Sequence, residues 1–199
     1  IVRFTYDSNT DDLLTITSPA SAQYPSGLTK TFTYDNHQLI SITDARGNSY
    51  VVNHYDDKGR VDTQTLGAGQ FTFDYSVANQ TTVIDRKGFV TRYNFNATGN
   101  AIRKEEFTTG LHAGEPASFI STYTYNPDSL MLSETFPRGN GRKYIYDSTN
   151  PDVRKHGNVL SIRQKTDMAA TDSDINDLVT NLTYDVNFNQ PKSITDPKG

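Results

Sequence analysis

The sequence predicts an all-β fold, built from tandem β-hairpins that join into one continuous, curved or spiralling antiparallel sheet. Twelve Tyr and ten Phe, with many Thr, Val and Ile, are the residues that strands favour. Apolar side chains recur at every second position, as in the stretches 38–43 and 71–75, which is the period of a strand. Clusters of Gly, Asp, Asn and Pro lie between these stretches and are typical of turns.

An aromatic residue followed by Asp, Asn or, once, Ser recurs along the chain and defines a repeat. Tyr34 and Tyr55 lie 21 residues apart, and Tyr55 and Tyr75 lie 20 residues apart. The longer intervals indicate the same unit with insertions. Eight units are predicted to start near Tyr6, Tyr34, Tyr55, Tyr75, Phe95, Tyr125, Tyr146 and Tyr184.

A second turn signal lies about midway through the units, where five segments that end in glycine, most of them with Asp or Pro before it, occupy one position of the repeat. The segments are TDARG at 43–47, TLGAG at 65–69, IDRKG at 84–88, TFPRG at 135–139 and TDPKG at 195–199. A weaker signal follows the aromatic residue at 57–60 and 97–100. Each unit is therefore predicted to run strand, turn, strand, turn, and stacking of the units joins the hairpins into one sheet.

The repeated residues are predicted to have a structural role. The Tyr ring packs inward with its hydroxyl on a polar rim or a neighbouring turn, the next Asp accepts amide hydrogen bonds of that turn, and the glycine supplies positive φ. A residue that recurs in every unit is better explained by the fold than by an active site. The residues assigned this role are Tyr34, Asp35, Gly47, Tyr55, Asp56, Gly88, Tyr125, Gly139, Tyr146, Asp147, Tyr184 and Asp185.

The order aromatic-Asp, Gly-Asn, Thr-Asp-x-x-Gly resembles the YD repeat of bacterial RHS proteins, of the related toxin-complex C subunits and of animal teneurins. The segment 182–199 is close to the bacterial form, and the absence of cysteine favours that branch. The resemblance implies a strand ribbon that spirals into a hollow shell around a C-terminal toxin-like domain of a secreted or cell-surface protein. It also implies carbohydrate binding as an alternative function.

The partners follow from the same interpretation. The chain starts at Ile1 and stops within a repeat, so we expect a segment of a larger protein, whose further repeats and enclosed domain are its partners. Glycans could stack on exposed aromatic rings. A net charge of −4 gives no reason to expect nucleic acid, and no apolar run is long enough to span a membrane. The open first and last strands predict edge pairing between copies.

No cofactor and no enzymatic activity are predicted, because no nucleotide-binding, metal-binding or nucleophile motif is complete. The histidines His37, His54, His112 and His156 have no ligand spacing. The segment 172–177 begins like a calcium loop, but Asp177 and Thr183 stand where Gly and Glu are required. Asp172 is instead a candidate N-cap of a short helical turn to Val179. A hydrolase has only the abundance of carboxylates in its favour.

Three segments interrupt the period and are predicted to form loops that contact partners. They are 18–31, 108–122 and 147–181. The last carries a basic group, Arg154, Lys155, Arg163 and Lys165, followed by an acidic stretch. Simple growth of tolerated loops is the alternative explanation.

Overall fold

The computed structural model describes residues 1–110, 112–172 and 174–197 and is all-β. Among these residues, sixteen antiparallel strands form one open sheet, in which the strand order follows the chain from β1 to β16. The predicted fold class is therefore confirmed. None of the described residues belongs to a helix long and apolar enough to cross a membrane.

The strands fall into two compact units. The first comprises residues 1–77 and 81–90, and the second comprises 78–80 and 91–199. The first unit holds β1 (Arg3–Tyr6), β2 (Leu13–Thr17), β3 (Thr29–Asp35), β4 (Gln38–Thr43), β5 (Ser49–Tyr55), β6 (Val61–Leu66), β7 (Gly69–Asp74) and most of β8 (Gln80–Ile84). The second holds most of β9 (Val90–Phe95), then β10 (Ala101–Phe107), β11 (Ser118–Tyr125), β12 (Met131–Thr135), β13 (Gly141–Tyr146), β14 (Val159–Lys165), β15 (Leu178–Tyr184) and β16 (Pro191–Thr195).

The sheet of each unit has an aromatic face and a hydroxyl-rich face, because successive side chains of a strand point to opposite sides. In the first unit, Tyr34 lies opposite Leu39, whereas the hydroxyls of Thr33 and Ser41 are 2.7 Å apart. In the second unit, Tyr125 is likewise paired with a hydrophobic residue, Met131. The cross-strand hydroxyl contacts that define the second face also join Thr124 to Ser133 and Thr183 to Ser193.

Neither unit has a hydrophobic core among its described residues, because no hydrophobic side chain there is buried. Apart from Gly141, the buried residues among those described are polar: Asn53, Glu105, Ser121 and Lys165. The aromatic side chains are mostly half-buried against neighbouring strands of the same sheet. Strand pairing and contacts between adjacent strands therefore stabilise the sheet in place of a central core.

A β-bulge recurs at the repeat aromatic residue. Between β3 and β4 the register shifts at Tyr34, so that Ile40 is the extra residue between Leu39 and Ser41. Such bulges increase local twist and redirect side chains. The same shift occurs at the aromatic residues Tyr6, Tyr55, Phe95, Tyr125, Tyr146 and Tyr184.

Each of the three predicted insertions contains strand residues, so its loops are shorter than the segment that interrupts the sequence period. The segment 18–31 includes the start of β3, and 108–122 includes the start of β11. The segment 147–181 contains all of β14 and the first residues of β15. Twelve residues separate β13 from β14, whereas five separate β11 from β12, so the period alone does not find β14.

The predicted helical turn from Asp172 to Val179 is wrong. Strand β15 already begins at Leu178, and the Asp172 carboxylate is paired with the Lys143 ammonium group at 2.6 Å. A short 3₁₀ helix lies instead at Val153–Lys155, where the Asp152 carboxylate accepts a hydrogen bond from the backbone amide of Arg154.

Gly141 tests how tightly β13 is packed. A Cβ at this buried position would overlap the Glu134 carbonyl oxygen and the Met168 side chain. We expect Gly141→Ala to lower the free energy of unfolding by about 1–3 kcal/mol, the usual cost of overpacking. Urea denaturation followed by circular dichroism measures this change.

Gly157→Ala is the matched control, because no atom lies within 4 Å of a Cβ built there. Equal effects of the two substitutions would contradict the packing assigned to Gly141.

Candidate functional site

The repeated tyrosines form a series of side chain to backbone hydrogen bonds. The Tyr55 hydroxyl donates to the Leu39 carbonyl oxygen at 2.9 Å, across the boundary between β5 and β4. The other tyrosine bonds join Tyr75 to Val61, Tyr125 to Ala101, Tyr146 to Met131 and Tyr184 to Val159, at 2.8–3.2 Å. Partial burial raises the pKa of Tyr75, Tyr125 and Tyr146, which keeps these hydroxyls protonated as donors.

The acceptors of these bonds follow one rule. Leu39, which accepts from Tyr55, is the residue that pairs with Tyr34 of the preceding repeat. In each case the acceptor is the strand partner of the preceding aromatic residue: Val61 pairs with Tyr55, Ala101 with Phe95, Met131 with Tyr125 and Val159 with Tyr146. Each tyrosine hydroxyl therefore ties its repeat to the previous one. We call this series the tyrosine ladder.

Tyr34 and Tyr6 stand outside the ladder. The acceptor that the rule gives for Tyr34 is Leu13, but the pairing of β2 with β3 stops at Thr15. No strand precedes β1 in the described structure, and the Tyr6 hydroxyl has no hydrogen-bond partner among the described residues.

The Asp after the repeat aromatic organises the turn that follows it. One carboxylate oxygen of Asp56 accepts hydrogen bonds from the amides of Lys58 and Arg60, both at 2.9 Å. The Asp56 amide donates to the Arg60 carbonyl, and the Gly59 amide donates back to the Asp56 carbonyl. Asn96 and Asn126 make the same two amide contacts in their own turns.

The second turn signal of the sequence has the same geometry at three of its copies, whereas at 65–69 Leu66 pairs directly with Gly69 across a two-residue turn. Asp44 accepts from the amides of Arg46 and Asn48 at 2.8 and 2.9 Å, and Gly47 has a φ of 83°. Residues 85–89 and 136–140 repeat this backbone pattern, with Gly88 and Gly139 at a φ of 84°. Positive φ after a short turn is typical of three-residue hairpin loops. The copy at 195–199 lies partly outside the described residues.

These turn carboxylates are stabilised in their charged form. Backbone and side-chain hydrogen bonds from Asn48 lower the pKa of Asp44, and the side chain of Arg60 is the largest cause of the lowered pKa of Asp56. Amides of the following residues lower the pKa of Asp7 and Asp185 in the same way. The charge thus stabilises the turn in which each carboxylate lies.

Asp35 and Asp147 depart from the predicted turn role. Asp35 ends β3 opposite Gln38, and Asn36 and His37 form a two-residue turn with φ of 47° and 64°. Asp147 accepts a hydrogen bond from the Asn150 side chain at 2.7 Å and leads into a longer loop. An Asp that follows the repeat aromatic therefore does not always bind the amides of its turn as Asp56 does.

A buried cluster of charged side chains surrounds Lys165, the last residue of β14, and was not predicted from the sequence. The ammonium group of Lys165 lies 3.0 Å from Asp177, 3.3 Å from Asp172 and 2.9 Å from the Thr171 carbonyl oxygen. The Lys165 and Asp177 side chains are 0% and 1% exposed. Burial acts to lower the pKa of Lys165, but its hydrogen bonds with Asp177 and Asp172 raise that pKa above the usual range.

The cluster fixes the segment after β14 against the strand before it. Asp172 also pairs with Lys143 of β13, and Asp177 pairs with Arg163 at 3.3 Å. The Met168 amide donates to the Gly139 carbonyl oxygen at 2.8 Å. Of the four basic residues in this predicted insertion, Arg163 and Lys165 at the end of β14 thus bind the acidic stretch that follows. Arg154 pairs instead with Asp152, and Lys155 donates to the Val186 carbonyl oxygen.

A second buried carboxylate, Glu105, lies on β10. It accepts from Arg103 at 2.7 Å, from Arg92 at 3.4 Å and from the Ser118 hydroxyl at 2.8 Å. The Arg103 and Ser118 hydrogen bonds lower the pKa of Glu105. The Arg92 guanidinium also lies over the Phe107 ring, 4.8 Å from its centre. Glu105 therefore joins β9, β10 and β11.

The candidate metal ligands of the sequence do not converge on one point among the described residues. The calcium-like segment includes Ser173, which lies outside the described residues, and its carboxylates at Asp172 and Asp177 are paired with lysine. No group of three metal-binding side chains occurs in the part of the chain that the structure describes. His37 pairs with Asp12, His54 pairs with Asp62, His156 contacts the Asn150 carbonyl and His112 lies exposed in a loop.

Comparison with protein-family models gives no match, and comparison with curated protein sequences gives none. Among solved structures, the crystal structure of TcdB2–TccC3 matches with a TM-score of 0.58 at 18% identity, over 96% of this chain. The same complex without its hypervariable C-terminal region gives 0.59 at 18% identity over 98%, and the Photorhabdus luminescens Tc holotoxin pore with a mutated TccC3 gives 0.57 at 18% identity over 98%.

This chain has the fold of one stretch of those toxin chains. It spans about a tenth of their length, 10% in each of the three comparisons. At 18% identity, the likeness establishes the fold. It supports the resemblance to RHS-type proteins that the repeat motif suggests.

The tyrosine ladder can be tested by removing one hydroxyl. Tyr146→Phe leaves the Met131 carbonyl without its donor, so we expect a loss of about 0.5–1.5 kcal/mol in the free energy of unfolding. Tyr144→Phe is the matched control. Tyr144 lies on the same strand, two residues before Tyr146, and its hydroxyl has no hydrogen-bond partner among the described residues. Urea denaturation compares them, and a control as destabilised as Tyr146→Phe would refute the ladder.

The turn carboxylates predict a loss of stability in acid. The lowered pKa of Asp44 means that its stabilising effect is present above the unfolded pKa of about 3.9 and is lost as pH falls through the lower folded value. In Asp44→Asn the side-chain oxygen can still accept the hydrogen bonds of the turn amides, as that of Asn96 does. The free energy of unfolding of this variant should therefore fall less steeply with decreasing pH than that of the native chain. Asp44→Ala should be destabilised at pH 7 as well. Denaturant titrations at several pH values would show an unchanged profile if the interpretation fails.

The buried cluster predicts an asymmetric response to lysine removal. Lys165→Met leaves Asp177 buried with one cation fewer and should destabilise the chain more than Lys143→Met, since the Lys143 side chain is 34% exposed. Lys165→Met combined with Asp177→Leu should recover part of the loss, because neither charge is then buried. Thermal unfolding of the four proteins measures this, and the absence of any recovery would contradict the coupling.

Proposed function

We propose that this chain is a structural repeat segment of a large secreted or surface protein of the bacterial RHS type, and that it has no catalytic role. Its sheet would contribute to a β-shell that encloses or presents a C-terminal, toxin-like domain. The tyrosine ladder carries this proposal. It engages five of the recurring tyrosines in joining their repeats to the ones before, and it allows the sheet to extend by adding units.

The solved structures support a comparison with toxin chains. One of them is described as TcdB2–TccC3 without its hypervariable C-terminal region, so the stretch that this chain matches there lies outside that region. A chain that covers a tenth of their length corresponds to one portion of such an assembly. We propose that the parent of this chain encloses a C-terminal domain in the corresponding place.

The absence of a hydrophobic core among the described residues also supports a partner within the same polypeptide. Rings on the aromatic face are half-buried, and further apolar side chains at the two sheet edges are exposed. Exposed apolar surface of this kind marks a site of contact with other protein. Additional repeats and an enclosed domain would supply that contact.

Glycan binding is the second candidate that the resemblance implies. Sugar rings stack on open aromatic faces, but the Arg60 guanidinium already lies over the Tyr75 ring at 4.2 Å, and the Lys30 ammonium lies near the Tyr50 ring at 5.8 Å. These contacts favour the structural role at both tyrosines. A glycan array that reports binding sensitive to substitution of a repeat tyrosine would reverse this preference.

The size of the native gene product tests the proposal. Antibodies raised against this chain should detect a protein far larger than 22.2 kDa in the culture medium or at the cell surface of the source organism. The isolated 22.2 kDa chain serves as the size marker. A species of 22 kDa as the sole product would overturn the proposal. Limited proteolysis of the large species should then spare the C-terminal domain until the sheet is unfolded, and immediate digestion of that domain would contradict enclosure.

A further inference from the structure

We propose that the amine of Lys165 and the carboxyl group of Asp177 join in an intramolecular isopeptide bond, with loss of one water molecule, and that Asp172 transfers the protons. The ion pair described above is the state from which this bond forms. The cross-link goes beyond the proposed structural role. It depends on contacts within one chain and requires neither the parent protein nor an enclosed domain.

The reacting groups lie in contact at the end of β14. The Lys165 nitrogen is 3.0 Å from Oδ2 of Asp177, so it lies against the carboxyl group whose carbon it would attack. The same nitrogen is 3.3 Å from Oδ1 of Asp172, a second carboxylate that can receive a proton. Groups held together in this way react as if each were present at a very high concentration. An amine, an acceptor carbon and a base are therefore assembled at one point.

The surroundings of this pair exclude water. Lys165 pairs with Gly141 of β13, which has no side chain to occupy the space beside it. A Cβ built on Gly141 would touch Met168, so the Met168 side chain lies over this position. The Lys165 and Asp177 side chains are accordingly 0% and 1% exposed. An amide formed here would be protected from hydrolysis.

Burial distinguishes this pair from the lysine–carboxylate pairs elsewhere among the described residues. The Lys143 and Asp172 side chains are 34% and 58% exposed. Those of Lys104 and Glu106 are 29% and 48% exposed. Water solvates these exposed charges and favours the ions over an amide. At Lys165 the charges have lost that solvation, which is costly, and conversion to a neutral amide removes both of them.

The carboxylate of Asp177 is bound unevenly, in a way that also favours the amide. Its Oδ2 accepts hydrogen bonds from Lys165 at 3.0 Å and from Arg163 at 3.3 Å. Its Oδ1 is buried and has no hydrogen-bond partner among the described residues. A buried oxygen without a partner is more costly when it is charged than when it is neutral. In the amide, Oδ1 becomes the neutral carbonyl oxygen, and Oδ2 leaves from a position where Arg163 stabilises negative charge.

The bond-forming step conserves atoms and charge. Because the pKa of Lys165 is raised, its nitrogen is protonated in the ion pair, and transfer of one proton to Asp172 starts the reaction. The freed electron pair of the nitrogen attacks the Asp177 carboxyl carbon. Asp172 passes its proton to Oδ2, a second proton follows from the nitrogen by the same route, and Oδ2 departs as water. One proton stays on the amide nitrogen, and Asp172 is again a carboxylate.

The bond would join the end of β14 to the residue before β15. It would fix both ends of the loop 166–176 covalently, in a unit that has no hydrophobic core among its described residues. Closing a loop in this way restricts the unfolded chain and so stabilises the folded one.

The intact mass of the purified chain tests the loss of water. The native chain should be lighter than its sequence by the mass of one water molecule. Lys165→Arg should have its full sequence mass, because a guanidinium group keeps the charge but stays protonated and does not attack. Lys143→Arg is the matched control, since it also replaces a lysine bound to Asp172 but should still lose the water. A native chain with its full sequence mass contains an ion pair only and overturns the proposal.

Cleavage with cyanogen bromide locates the bond. The chain contains two methionines, Met131 and Met168, and the second lies between Lys165 and Asp177. Cleavage after both yields the fragments 1–131, 132–168 and 169–199. On a denaturing gel the last two should stay joined in the native chain and separate in Lys165→Arg. Their separation in the native chain would overturn the proposal even if the intact mass were lower by one water, because that water would then have been lost elsewhere.

Asp172→Asn tests the transfer of protons. The amide keeps the shape of the side chain but does not accept a proton from the ammonium group. General acid–base transfer contributes roughly 10²–10⁴-fold to a rate, so most of the freshly purified variant should keep its full mass. Circular dichroism checks that it folds as the native chain does. A variant cross-linked as completely as the native chain would overturn the role of Asp172. Every one of these failures leaves the structural role intact, since that role is tested by the size of the native gene product.

Discussion

A hydrogen bond from a tyrosine hydroxyl to a backbone carbonyl of the adjacent strand is the contact on which the repeat architecture depends. Hydrophobic burial usually dominates folding, but no hydrophobic side chain is buried among the described residues of either unit. Adjacent strands must therefore be held by their own pairing and by contacts local to it. The bond from Tyr125 to Ala101 shows how this works, since one side chain reaches across the boundary that separates two repeats.

The turns at both ends of the strands are likewise stabilised by hydrogen bonds within each turn. One acceptor oxygen of Asp44 or Asp56 binds two amides of its turn, and a residue with positive φ closes each loop. Phe136 occupies the Asp position with the same backbone bonds, and Ser129 takes the glycine position with a φ of 62°. The backbone path is thus retained when either residue changes, because the main-chain bonds remain.

The sequence allowed the fold class to be predicted because its signals are local. An aromatic-Asp pair and a following glycine report a strand end and its turn without reference to any distant residue. Strand β14 follows a longer connection, and its register depends on β13 and β15, so the period suggested an insertion there. The bulge beside Tyr34 and the burial of Lys165 could not be predicted from the sequence either, because each depends on residues brought together only by strand pairing.

The acceptors of the tyrosine ladder have a consequence for how such chains change over evolutionary time. The five oxygens belong to the main chain, and the residues that supply them are Leu39, Val61, Ala101, Met131 and Val159. Any residue provides the same carbonyl, so a substitution in an even strand leaves the link to the next repeat in place. Units can then diverge, be duplicated or be exchanged without matching changes in their neighbours, and a common fold can persist at an identity as low as 18%.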